Sequence, residues 1–87
     1  MIKNKQKEPD SKHIKVILDL FNLKKFEEAK KEIDLLISKF QNSSTLRNIF
    51  GAILAEENQH ALAILKYKES IKINPNYAEA YNNLGIS

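Results

Sequence analysis

Apolar residues recur along the chain at spacings of three and four, the period of one face of an α-helix. The first such segment, about residues 11–23, carries Ile14, Ile17, Leu18 and Phe21. A second segment begins near residue 25 and ends at the turn-rich residues 41–44. A third, at about 45–57, is followed by a turn at 57–59 and by a fourth segment at about 60–73. Ser11 and Ser44 are predicted N-caps of the first and third helices.

The fourth segment ends at Asn74-Pro75-Asn76, because proline cannot continue a helical hydrogen-bond ladder and disfavours helix at the residue before it. A fifth segment begins at Tyr77-Ala78 and runs to the end of the sequence. No stretch alternates apolar and polar residues as a half-buried strand does. The sequence therefore predicts an all-α fold of five helices joined by short turns.

The predicted helices repeat in phase when the sequence is shifted by 34 residues. The aligned pairs are Phe26 with His60, Ala29 with Ala63, Ile33 with Tyr67, Leu36 with Ser70, Phe50 with Leu84 and Gly51 with Gly85.

Residues 44–77 resemble a tetratricopeptide repeat, and residues 78–85 look like the start of another one. The resemblance rests on Phe50, Gly51, Leu54, Ala63, Tyr67, Ser70 and Pro75, and on Tyr81, Leu84 and Gly85 in the second match. It implies antiparallel helix-turn-helix hairpins stacked as an α-solenoid of about two and a half repeats. Gly51 and Ala63 are small enough for two helices to cross closely, while Phe50, Leu54 and Tyr67 fill the flanks.

Four segments follow from this pattern. We expect a disordered basic tail at 1–9, a degenerate repeat at 10–43, a repeat at 44–77 and the first helix of a truncated repeat at 78–87. The degenerate repeat keeps Ala29 but has Ile17 in place of the glycine and Gln41 in place of the proline. Because roughly three or more repeats are usually needed for a stable stack, we expect an N-terminal piece of a longer protein.

Composition narrows the possible functions. The absence of cysteine excludes a disulfide framework, a thiolate zinc site and a cysteine nucleophile. Of the 14 cations only Arg47 is arginine, and much of the +3 net charge comes from the tail lysines, which argues against a nucleic-acid partner. No apolar run is long enough for a signal peptide or a membrane span, so we expect a cytoplasmic protein with no membrane partner.

We find no catalytic constellation: no serine is placed with a histidine and an acid, and there is no glycine-rich phosphate loop. Glu56 and His60 have the spacing of two metal ligands, but few residues remain to complete a site, and we expect His60 to pack. We predict no cofactor and no metal, and no enzyme activity for this segment; the full-length protein is left open.

The resemblance implies that the first helix of each pair lines a concave groove. The predicted groove residues are Ile14, Leu18, Phe21, Thr45, Asn48, Ile49, Ala52, Glu79, Asn82 and Asn83, and the predicted repeat-packing residues are those of the resemblance together with Ala29. Apolar at one end and rich in carboxamides at the other, such a surface suits an extended peptide or helix of another protein. The competing interpretation is that this face is merely exposed and that the working groove lies in later repeats.

Two further alternatives concern the partner. Repeats that capture the acidic tail of heat-shock chaperones use a clamp of lysine, asparagine and arginine, but the matching positions here hold no cation: Ile14, Leu18, Ile49, Glu79 and Asn83. Asn83 does match an asparagine that recurs in repeats similar to those of O-GlcNAc transferase. The alternative function is therefore a non-catalytic head that presents substrate proteins to a larger enzyme, such as a glycosyltransferase or a sulfotransferase.

Overall fold

The computed structural model describes residues 8–86, without the side chain of Ile86. These residues form five helices: α1 Ser11–Asn22, α2 Phe26–Lys39, α3 Ser44–Glu56, α4 His60–Ile73 and α5 Ala78–Ile86. The five predicted helices and the all-α class are confirmed. None of the helices in the described range is long and apolar enough to cross a membrane.

The turns inside the two hairpins have the same backbone geometry. Lys24 follows α1 with φ 60° and Asn58 follows α3 with φ 63°, and both lie in the left-handed region. In each turn the next residue donates its amide back into the helix, Lys25 to Leu20 O and Gln59 to Leu54 O, each at 2.8 Å. Asparagine tolerates this conformation well and lysine less so. Two different sequences therefore adopt the same kind of turn.

The structure corrects both predicted N-caps by one residue. The cap of α3 is Ser43, whose hydroxyl oxygen accepts a hydrogen bond from the amide of Leu46 at 3.0 Å. The cap of α1 is Asp10, whose side chain makes no capping hydrogen bond. Ser11 and Ser44 are instead the first residues of their helices.

Helix α3, the first helix of the second hairpin, faces the first hairpin and contributes to both apolar clusters. The larger cluster joins it to α1 and α2 and consists of Ile17, Ala29, Ile33, Leu36, Leu46, Ile49 and Ile53. The smaller cluster contains Leu54, Ala63 and Tyr67, and Leu84 of α5 packs against it. Because Phe50 packs against both clusters, the two hairpins share one continuous apolar interior.

Helices α3 and α4 of the second hairpin approach closely where Gly51 meets the ring of Tyr67. A Cβ atom placed on Gly51 would lie 2.5 Å from Cε1 and 2.7 Å from Cδ1 of that ring, and the tyrosine is only 3% exposed. In the first hairpin Ile17 and Ile33 occupy the matching positions, and both are fully buried. The glycine and tyrosine are thus replaced by two branched side chains of intermediate size, and α1 and α2 pack less closely than α3 and α4.

An ion pair also connects α2 of the first hairpin to the end of α3 in the second. Lys30 Nζ of α2 lies 2.9 Å from Glu57 Oε1 at the end of α3, and both side chains are 20% exposed. Glu27 approaches the same ammonium at 3.3 Å. The hydrogen bond to Glu57 raises the pKa of Lys30 against the opposing effect of burial, so the ammonium stays charged at neutral pH.

The predicted basic tail, 1–9, is described only in its last two residues, and residues 1–7 lie outside the described range. Glu8 is half-buried and hydrogen-bonds the start of α3, and Pro9 is buried. These two residues therefore belong to the packed structure rather than to a disordered tail.

Gly51→Ala should destabilise the protein, because the added methyl group must displace a buried tyrosine ring. Overpacking of this kind costs about 1–3 kcal/mol, which exceeds the gain of roughly 0.5–1 kcal/mol from replacing a helical glycine by alanine. Gly85→Ala is the matched control, since a Cβ there has nothing within 4 Å. Urea unfolding followed by circular dichroism should show Gly51→Ala less stable than wild type and Gly85→Ala at least as stable. Equal stabilisation by both substitutions would contradict the packing described.

Candidate groove on the concave face

The helices predicted to line the groove are α1, α3 and α5, and α3 contacts both of the others. Helix α2 packs against α1 and α3, and α4 packs against α3 and α5. The exposed side chains of the predicted groove are Leu18, Glu79 and Asn82, and Leu18 is 41% exposed. The half-buried members are Ile14, Phe21, Thr45, Ala52 and Asn83. The face therefore offers both apolar and polar side chains to a ligand.

The structure corrects the predicted groove at two positions of α3. Ile49 is 7% exposed and belongs to the larger apolar cluster, and Asn48 is 3% exposed. The reason is that α3 has a neighbouring first helix on both sides, so only a narrow strip of its surface remains open. The apolar and polar pattern of a single helix therefore overestimates how much of the surface of α3 is exposed.

A polar cluster connects α3 to α5 across this strip; we call Thr45, Asn48, Tyr77, Glu79 and Asn83 the groove cluster. Asn83 Nδ2 donates a hydrogen bond to Asn48 Oδ1 at 2.9 Å. The Tyr77 hydroxyl donates a hydrogen bond to Glu79 Oε1 at 3.3 Å, and the polar side chains of Thr45 and Asn48 act to lower the pKa of this phenol. Asn48 is therefore committed to contacts within the protein.

Tyr77 is the member of the cluster that sequence analysis missed. The sequence places it at the boundary between two repeats. Nothing in a tyrosine that follows Asn-Pro-Asn indicates that it lines a groove. In the structure it is half-buried at the entrance to α5. Burial is the main cause that raises the pKa of its phenol above the ordinary value of 10.0, and the nearby Glu79 carboxylate acts in the same direction.

The two ends of the groove differ in chemistry. At the α1 end Leu18 is exposed beside Ile14 and Phe21, and the ring of Phe21 lies 5.8 Å from that of Phe26 between centroids. Lys15 at this end is paired with Asp19 at 3.3 Å. Towards α5 the exposed charges are carboxylates, Glu56 and Glu79. A ligand would thus meet an apolar end and an acidic, amide-bearing end.

The predicted repeat-packing residues fall into two groups. Most are buried or half-buried between helices: Ala29, Phe50, Gly51, Leu54, Ala63, Tyr67, Ser70 and Leu84. Ser70 donates its hydroxyl to Ser44 O at 2.8 Å, and Lys66 Nζ lies 5.0 Å from the Phe50 ring centroid. Pro75, Tyr81 and Gly85 are exposed: Pro75 lies in the turn before α5, and no helix in the described range covers Tyr81 and Gly85, so their packing role stays a prediction.

The possible metal pair, Glu56 and His60, is exposed at both residues, so the expected packing role of His60 is not observed. The helix before it ends at Glu56 and the next begins at His60, which leaves the imidazole at an open corner. Within residues 8–86 no group of three or more histidine and acidic side chains is close enough to hold a metal ion.

Comparison with known protein families identifies the part of the chain that begins in the middle of α3. Residues 51–87, which begin at Gly51 and include α4 and α5, match a family model described as TPR repeat. The chain contains a tetratricopeptide repeat. Comparisons with curated proteins and with solved structures returned no match. Tetratricopeptide repeats are generally non-catalytic and mediate contacts between proteins, so this segment is a protein-interaction module in that general sense.

The phenol of Tyr77 should ionise at higher pH than an exposed tyrosine. The folded protein then holds this proton more tightly than the unfolded chain, so the associated stability is complete below pH 10.0 and is lost as pH rises through the folded pKa. An NMR titration of protein labelled at the tyrosine Cζ, with the Tyr77 signal assigned by its loss in Tyr77→Phe, should therefore give Tyr77 a midpoint above pH 10.0. A Tyr77 midpoint at or below pH 10.0 would show that its phenol is not buried as described.

Proposed function

We propose that the concave groove of this tetratricopeptide-repeat segment binds an extended peptide or a helix of a partner protein. The observation that supports it best is the exposure of Leu18 on α1 and of Glu79 and Asn82 on α5, the two helices that lie on either side of α3. An extended segment that runs across the helices can meet all three, and a helical ligand can place one apolar face on Leu18.

The chemistry of the groove suggests what the partner carries. Asn82 offers a donor and an acceptor, which suit the alternating C=O and N–H groups of an extended backbone. Glu79 and Glu56 favour a basic side chain near the α5 end, and Leu18 with its half-buried neighbours favours an apolar side chain at the α1 end. We therefore propose a partner segment with an apolar residue followed or preceded by a basic one.

The outer helices carry the surface that competes with this proposal. Leu35 of α2 is 66% exposed, and Leu65 of α4 is 54% exposed. Each stands among exposed charged residues, such as Asp34 beside Leu35 and Lys68 near Leu65. Isolated exposed leucines are common on soluble proteins and do not by themselves indicate a partner. They provide matched controls of the same residue type as Leu18.

The substrate-presenting alternative stays a prediction. Its sequence support was Asn83, which bonds the buried Asn48. A cytoplasmic location likewise stays a prediction.

The test is capture of partners by the full-length protein, followed by quantification of the same partner with variants. Leu18→Ala combined with Asn82→Ala should weaken binding about tenfold or more, the loss expected when residues that contribute strongly to an interface are truncated. Leu35→Ala combined with Leu65→Ala should leave binding unchanged. The opposite pattern would place the binding surface on the outer helices and refute the proposal.

A further inference from the structure

One face of α3 is covered by α4 through three residues. Ser44 O accepts a hydrogen bond from Ser70 of α4 at 2.8 Å, and Arg47 forms an ion pair with the same helix at 3.6 Å. Gly51 lies against the ring of Tyr67. On this face of α3, the second helix of the hairpin packs against the first.

The matching face of α5 is open. Its residues, 34 positions later in the chain, are Ala78, Tyr81 and Gly85, and we call them the open face. All three are exposed, Tyr81 to 49%, and a Cβ atom on Gly85 would have nothing within 4 Å. Their spacing of three and four places them on one side of the helix. The open face therefore corresponds to a helix-packing surface that no helix within residues 8–86 covers.

The open face carries both halves of the contact that joins α3 to α4. In that contact the tyrosine ring of one helix lies against the glycine of an antiparallel helix. On α5 a tyrosine and a glycine stand four residues apart on the same face, Tyr81 and Gly85. If two copies of α5 pack antiparallel about a twofold axis near Asn83, each Tyr81 ring lies against Gly85 of the other copy. The open face is thus complementary to itself, as a twofold interface requires.

The charges of α5 do not oppose this pairing. Glu79 is the only side chain of this helix that is charged at neutral pH. It is two residues from Tyr81, and residues two apart on a helix do not lie on the same side. Two copies of the open face can therefore approach without like charges between them.

The opposite end of the stack is charged instead. Helix α3 faces the first hairpin with buried apolar residues such as Leu46 and Ile49. The matching residues of α1, 34 positions earlier, are Lys12 and Lys15, which are exposed, and Lys15 pairs with Asp19 at 3.3 Å. Because association uses only the α5 end and is twofold, it gives a closed pair rather than an open chain of molecules.

We propose that two copies of this protein associate through the open face of α5, with the two helices antiparallel and Tyr81 of each copy against Gly85 of the other. Helix α5 has 9 residues. The contact is therefore smaller than a standard interface, and interfaces below about 1,200 Å² are typical of weak, transient association. The dimer forms at high protein concentration and does not depend on what the groove binds.

Sedimentation of the full chain over a roughly hundredfold range of concentration tests the association. The wild-type protein should change from monomer to dimer. Gly85→Leu should abolish the dimer, because the new side chain takes the place of the ring from the other copy. It should keep the monomer fold, since the space at Gly85 is empty and leucine favours helix more than glycine does.

A second variant removes the ring itself. Tyr81→Ala should raise the dissociation constant of the dimer about tenfold or more, the loss expected when an anchoring aromatic side chain is truncated. Leu65→Ala is the matched control, because Leu65 is a 54% exposed apolar side chain on α4, and it should leave the constant unchanged. Circular dichroism should show all three variants as helical as the wild type.

Single cysteines test the arrangement of the two helices, because the chain has none of its own. With the axis near Asn83, position 82 lies about 3 Å along the helix from its own copy, and position 78 about 15 Å. Asn82→Cys should therefore form a disulfide-linked dimer on oxidation, and Ala78→Cys, which is also exposed, should form far less. Adding Gly85→Leu to Asn82→Cys should remove the linked dimer.

Three results would overturn the proposal. A wild-type chain that stays monomeric at every concentration would mean that the open face receives a different helix or none. A dimer that survives both Gly85→Leu and Tyr81→Ala unchanged would form through another surface. Equal disulfide formation from positions 78 and 82 would exclude the antiparallel arrangement.

Discussion

The close contact between Gly51 and the Tyr67 ring determines how the second hairpin is built. The absence of a side chain at Gly51 lets α3 and α4 approach until the ring lies directly over the backbone. That position buries Ala63 and Leu54 in the same cluster and brings Ser70 within hydrogen-bond distance of Ser44. The first hairpin obtains a buried interior with Ile17 opposite Ile33, at the cost of looser packing between its helices.

The position of α3 explains why structural and ligand-binding roles are divided as they are. Because α3 has a helix on every side except one strip, its polar groove residues connect helices to one another. Asn48 accepts a hydrogen bond from Asn83, and no buried side-chain nitrogen or oxygen in residues 8–86 lacks a partner. The side chains open to a ligand lie on the flanking helices, at Leu18 and Asn82. Helix α3 thus separates the exposed groove residue of α1 from that of α5.

The helices and the repeat were predictable because they depend on local patterns: the apolar period, the turn residues and the 34-residue shift that aligns Gly51 with Gly85. The burial of Asn48 and Ile49 was not predictable in this way, because it depends on neighbours from two other helices. The role of Glu8 was hidden for the same reason, since its partners are Ser43 and Ser44, far along the chain. His60 was expected to pack by analogy with Phe26 at the matching position, but it lies exposed at the helix start.

Site-specific photo-cross-linking in the full-length protein tests most directly whether the concave face binds the partner. A photoreactive side chain would be placed singly at position 18 or 82 on the groove, and at position 35 or 65 on the outer helices, all exposed in the structure. The account predicts partner adducts from positions 18 and 82 and none from 35 and 65. Adducts from positions 35 and 65, with none from 18 and 82, would contradict it.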